Sequence, residues 1–126
     1  MDTDLKQAIT AVFIAYARAF RAADMAALDR LVAYPLAYIG QGVAQMVTSY
    51  PVQPAELIAR TGWHDTVDID FEVVAASADK AHVILRRATR VRQDGSPIET
   101  ISGFYALTRQ PTGWKIFAFS DVTVPA

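Results

Sequence analysis

Cysteine is missing from this chain of 126 residues, histidine occurs only as His64 and His82, and neither sign of charge prevails. Without cysteine there is no disulfide framework, no iron–sulfur ligation and no thiol nucleophile, and the expected setting is a reducing one. Two histidines that form no helical His-x-x-x-His pair cannot frame a zinc site, so neither a metal nor a cofactor is expected. The 12 Lys and Arg against 13 Asp and Glu leave a net charge of −1, without the basic excess that nucleic-acid binding needs. Long apolar runs are absent too. The longest, residues 11–17, falls far short of the ~20 residues of a bilayer span, and no membrane partner is expected. The opening Met1-Asp2-Thr3-Asp4 is acidic where a secretory signal is positive, which makes the cytoplasm the expected location. No GxSxG, P-loop or GxGxxG pattern occurs, and Gly40-Gln41-Gly42 reads as a turn rather than a phosphate cradle.

What the chain does have is apolar content, 52% of its residues, at a length that buries roughly two-thirds of the unfolded surface in one domain over 1–126. Leu5, Ile9, Val12, Phe13, Tyr16 and Phe20 recur at helical spacing behind the capping oxygens of Asp2, Thr3 and Asp4, predicting a long amphipathic first helix. Asp24 opens a second helix through Met25, Leu28, Leu31 and Val32, with Pro35 as its expected stop. Residues 36–39 and 43–50 read as short strands around the glycine turn. Pro54 near the start and Gly62 past the end mark a third helix.

From Thr66 the apolar period changes to two. Strands are expected over 66–76, 81–93, 97–109 and 114–124, with turns at 77–80, Asp94-Gly95 and 110–113. Four strands joined by short turns make an antiparallel meander, and three N-terminal helices must cover one face of it. The expected class is therefore α+β, with helices packed on a curved, mostly antiparallel sheet.

This order of elements resembles the cone-shaped, cystatin-like fold of the nuclear-transport-factor-2-like (NTF2-like) superfamily, and within it the SnoaL-like domains. The likeness spans nearly the whole chain. It rests on residues 11–33 with Ala22-Ala23-Asp24 opening the second helix, on 67–92, and on Gly113-Trp114-Lys115-Ile116 starting the last strand. The resemblance implies a pocket between helices and concave sheet, and leaves three functions open. These are small-molecule binding without established catalysis, acid–base chemistry of the ketosteroid isomerase or SnoaL kind without a metal, and a non-catalytic homodimerisation or protein-interaction module. Ketosteroid isomerases combine an oxyanion tyrosine, a base aspartate and a protonated aspartate. Tyr16 matches the tyrosine, but the base falls at about Gly40 and the second acid near 102–104, where no carboxylate stands. One match in three does not carry that activity over.

Strand alternation assigns the faces. Arg86, Arg90 and Arg92 share one side and are expected to pair outward with Asp68, Asp70 and Glu72 across the hairpin. Arg87 falls with Leu85, Thr89 and Val91, pointing inward, where its fixed charge needs an acid such as Glu99 or an anionic ligand. The expected ligand-binding set is Tyr16, Tyr38, Trp63, His64, Arg87 and Tyr105, for a small apolar or carboxylate-bearing molecule. His64, in the loop after the third helix, is the candidate general base, because imidazole ordinarily titrates near neutrality, and Tyr16 is the second catalytic candidate. Phe117 and Phe119 fall on the side of the last strand opposite Trp114 and Ile116. With Phe104 they predict a covered outer patch and a homodimer through the sheet.

Overall fold

The computed structural model describes residues 2–125. Helix α1 covers Thr3–Arg21, and its cap is the carboxylate of Asp2, which accepts hydrogen bonds from the N–H of Asp4 (2.8 Å) and Leu5 (3.2 Å). Asp4 in the first turn and Arg18 and Arg21 in the last suit the helix dipole. Ile9, Phe13, Tyr16 and Ala19 form its buried stripe. Helix α2, Met25–Asp29, is capped by Asp24, which accepts from the N–H of Ala27 (3.1 Å). Helix α3, Pro54–Thr61, begins on proline and ends at Gly62, whose φ of 76° is the left-handed conformation of a helix stop.

The second helix is shorter than its spacing predicts. Val32 already belongs to strand β1, Val32–Gly40, and Pro35 lies inside that strand. Lateral pairing overrides the helical period here, since Ile116 donates its N–H to Leu31 (2.8 Å) and Val32 pairs with Ile116. Proline has no N–H for the ladder, and the register accordingly slips between Val32 and Ala37. Strand β2, Val43–Val47, returns antiparallel to β1. Strands β3 (Asp65–Ala76), β4 (Lys80–Val91), β5 (Pro97–Gln110) and β6 (Gly113–Asp121) form the expected meander. The sheet order is β2-β1-β6-β5-β4-β3, with β1–β6 the one parallel pair. Helices thus pack on a six-stranded, mostly antiparallel curved sheet. No helix among the described residues is long and apolar enough to cross a membrane.

The core joins the α1 stripe to the inner face of the sheet through Leu28, Leu36, Val73, Val83, Leu85, Leu107 and Ile116. Phe13 is central to it, with ring centroids 4.7 Å from Phe71 and 4.9 Å from Tyr105. Arg21 ties the end of α1 to the start of β3 by a two-pronged contact with Asp65, 2.9 and 3.1 Å. That guanidinium holds the Asp65 carboxyl below its ordinary 3.8. Its contribution is therefore present above that pH and lost as acid protonates Asp65.

Register slips reset the faces. One extra residue on β4 lies between Leu85, opposite Gly103, and Ala88, opposite Ile101. Arg86 and Arg87 are both exposed as a result, and Ala88 is buried like Leu85. On β3 the slip sits between Val67 and Asp70, where Asp68 adopts a φ of 53°. On β6 the extra residue is Phe117, between the Ile116–Leu107 and Ala118–Ala106 pairs.

Among the glycines the tightest is Gly103, where a Cβ would come 2.7 Å from the carbonyl oxygen of Ser120. The obstacle is backbone, which cannot swing aside. Gly103→Ala is expected to cost about 1–3 kcal/mol, measurable as a lower urea midpoint at unchanged slope. An unchanged midpoint would show that the two strands separate freely there.

Candidate functional site

Between the helices and the inner face of the sheet lies a cavity of about 1210 Å³ that opens to solvent. Phe13, Tyr16 and Phe20 line it from α1, and Leu57 and Arg60 from α3. Tyr50 closes it from the segment before α3, and Leu85, Ala88, Arg90, Glu99, Tyr105 and Phe119 form the sheet wall. Aromatic rings cluster on one part of this surface. Tyr50 and Tyr105 lie near-parallel to Phe119, with centroids at 5.7 and 5.4 Å.

Two polar groups stand out against it. The first is a cluster of three buried phenols. Tyr16 and Tyr50 share a hydrogen bond between hydroxyls, and Tyr105 faces Tyr16 with centroids 5.6 Å apart. Burial pushes all three phenols well above the ordinary 10.0, and the neighbouring phenol adds to the rise in each case. The three therefore stay neutral and can donate hydrogen bonds at any ordinary pH. The second is Arg90, whose side chain is 12% exposed and whose Nη1 donates to Glu99 Oε1 at 2.8 Å. Its positive charge acts against the rise in all three phenols. Among the described residues, Arg90 Nε is the one buried side-chain nitrogen or oxygen without a partner. At the rim Tyr38 donates to Asp121, and that bond, helped by burial, pushes the Tyr38 phenol up to about 12.

Of the residues expected from the sequence, Tyr16, Tyr38 and Tyr105 come together at this cavity. Trp63 is buried behind it, its ring against Phe20 and its Nε1 donating to Thr66 Oγ1 (3.0 Å). His64 is exposed and outside the lining, so it is no base for chemistry in the cavity. Arg87 is exposed opposite Asp70, not enclosed, because the β4 bulge turns it outward. The same bulge carries Arg90 from the expected outer set to the inside, opposite Glu99. Arg86 keeps the expected outward pairing, with Glu72 at 2.8 Å. Phe119 also changes sides: the residue inserted at Phe117 buries it in the cavity wall, while Phe104 stays outside and Phe117 is half-buried.

Tyr50 and Asp121 are site residues that sequence reasoning missed, and Arg90 and Phe119 are ones it misplaced. Glu99 was expected as the acid of an inward arginine, and the arginine it meets is Arg90 rather than Arg87. For Tyr50 the nearby Pro51 and Pro54 argue that a strand cannot continue there.

The family model described as "NTF2-like protein (DUF6841)" matches residues 6–123. The chain belongs to this NTF2-like family. No curated protein matches it significantly. Among solved structures, an NTF2-like protein with a cystatin-like fold from Novosphingobium aromaticivorans superposes with a TM-score of 0.69 at 14% identity, over 98% of this chain and 84% of the other. A ketosteroid isomerase-like protein from Erwinia carotovora atroseptica gives 0.59 at 20% identity, over 98% and 100%. An NTF2-like protein of unknown function from Pseudomonas putida gives 0.69 at 13%, over 99% and 89%. At such identities the likeness is one of fold, and the NTF2-like chain's chemistry must come from its own side chains.

All five tyrosines of the chain are held above 10.0, Tyr34 by burial and by its bond to Asp29. Folding thus retains protons that the unfolded chain releases near pH 10. The stabilisation is complete below that pH and declines as pH rises through the folded-state values. Near-ultraviolet absorbance should show no phenolate in the folded protein at pH 10, against half-ionised tyrosines in urea. Phenolate appearing at pH 10 without unfolding would contradict the packing described.

Proposed function

We propose that this NTF2-like domain binds a small, largely apolar molecule inside the cone, with no catalysis needed to account for the site. The observation that carries the reading is the cavity, where a cluster of aromatic rings meets converging polar groups, a make-up that suits a small-molecule site. A ketosteroid-isomerase type of reaction has less support. Its one family match, Tyr16, lines the cavity, yet a Cβ at Gly40 would come 2.9 Å from the Tyr38 hydroxyl, leaving little room for a base. With His64 outside, the carboxylates of the sheet wall, Glu99 and Asp121, are engaged by Arg90 and Tyr38, and Glu56 in the lining is exposed to water.

The test is binding of N-phenyl-1-naphthylamine, an uncharged dye that brightens in apolar cavities. Wild-type protein should enhance its fluorescence saturably. Ala88→Phe from the sheet side and Ala17→Phe from the helix side should each abolish the effect while circular dichroism stays unchanged. Enhancement that survives both substitutions, or is absent from wild type, would refute an internal site.

A second reading, homodimerisation, draws on the outer face. Ladder pairing aligns Ala44, Ile39, Ser120, Phe104 and Ile84 in one row across five strands, beside a row of Met46, Ala37, Ala118 and Ala106. Ile39, Met46 and Phe104 expose 41%, 65% and 41% of their surface, an apolar strip of the kind interfaces cover. Phe104→Glu should convert a dimer to a monomer in sedimentation velocity. A wild-type protein that sediments as a monomer at high concentration would exclude the reading.

A further inference from the structure

Resting on the binding reading above, we infer that the bound molecule is a monocarboxylate with an aromatic-sized apolar body, its carboxylate seated on the guanidinium of Arg90. Arg90 lines the cavity and uses Nη1 on Glu99; its Nε is enclosed by protein, and Nη2, without a hydrogen-bond partner among the described residues, is the donor left for a ligand. A hydrogen bond between a guanidinium and a carboxylate is charge-assisted, roughly twice as strong as a neutral one. In the same lining, Tyr16 and Tyr50 are joined by a single hydrogen bond. Two hydroxyls so joined use one proton between them, and the second O–H still requires an acceptor.

The carboxylates bonded beside these donors are committed: Glu99 accepts from Arg90 and Asp121 from Tyr38. Glu56, also in the lining, is exposed to water. A neutral hydrocarbon entering here would leave donors unpaired, which is costly. An anion with two oxygens can accept from Nη2 and from a phenol as well. The guanidinium charge favours negative over neutral oxygen, and Glu99, bound at Nη1, leaves Nη2 free. Beyond the polar end, Phe13, Leu85 and Phe119 offer only apolar surface, which suits a ring system.

The experiment compares 2-naphthoate with 2-naphthamide, equal in shape and different in charge, by isothermal titration against wild type, Arg90→Lys and Arg90→Met. Wild type should bind the acid at least about tenfold more tightly than the amide. Arg90→Met should erase that preference, and Arg90→Lys should keep only part of it, since a single ammonium must serve both Glu99 and the ligand. Circular dichroism and melting confirm that each variant is folded. Equal binding of acid and amide by wild type, or an acid preference that survives Arg90→Met, overturns the assignment. Naphthylamine binding with no binding of 2-naphthoate overturns it as well and leaves the cavity reading standing. Failure of all three compounds removes both readings.

Discussion

Strand side chains alternate strictly, so a single inserted residue reverses every face beyond it. The inner wall of this domain depends on two such insertions. On β4 the extra residue lies between Leu85 and Ala88, and on β6 it is Phe117. Remove the first and Arg90 would face solvent, with Arg87 in the hollow. Remove the second and Phe119 would leave its place between Tyr50 and Tyr105. Bulges also deepen the local twist, so the residues that re-aim the side chains help to curl the sheet around the space they line.

The polar groups inside are held by their neighbours. Arg90 is fixed by its cross-strand neighbour Glu99, a direct ladder partner, so the ion pair needs no long-range alignment. The three buried phenols remain neutral donors, because burial makes phenolate unfavourable for each.

The fold was legible because its signals are periodic and local. Asp2 and Asp24 cap the helices their position suggests, Gly62 stops α3 in the left-handed conformation, and the meander follows its turns. Tyr16 could be placed from the buried stripe of α1, and Tyr105 because the insertions lie on the strands beside it; Tyr38 reaches the cavity although β1 slips just before it. Arg87, Arg90 and Phe119 could not. A bulge leaves no mark in hydrophobic alternation when the inserted residue is itself an arginine among arginines or a phenylalanine among phenylalanines. Val32 and Pro35 went astray for another reason. Their spacing continues a helix, and only the distant β6 supplies the partner that makes them a strand. His64 was attractive for its chemistry, but its backbone N–H is tied to Val91 and its ring is left in solvent.

Gly103 fixes where this architecture can vary. Its bare backbone lies in the inner wall between Ile101 and Tyr105, pressed against the neighbouring carbonyl of Ser120. The recess it leaves cannot be filled without prying two central strands apart. The cavity's outline is therefore rigid on the sheet side and adjustable on the helical side, where Ala17, Phe20 and Ala59 line it from elements that need not register with a neighbour. Divergence in ligand shape among proteins built on this plan would be written in the roof, while the floor stays constant.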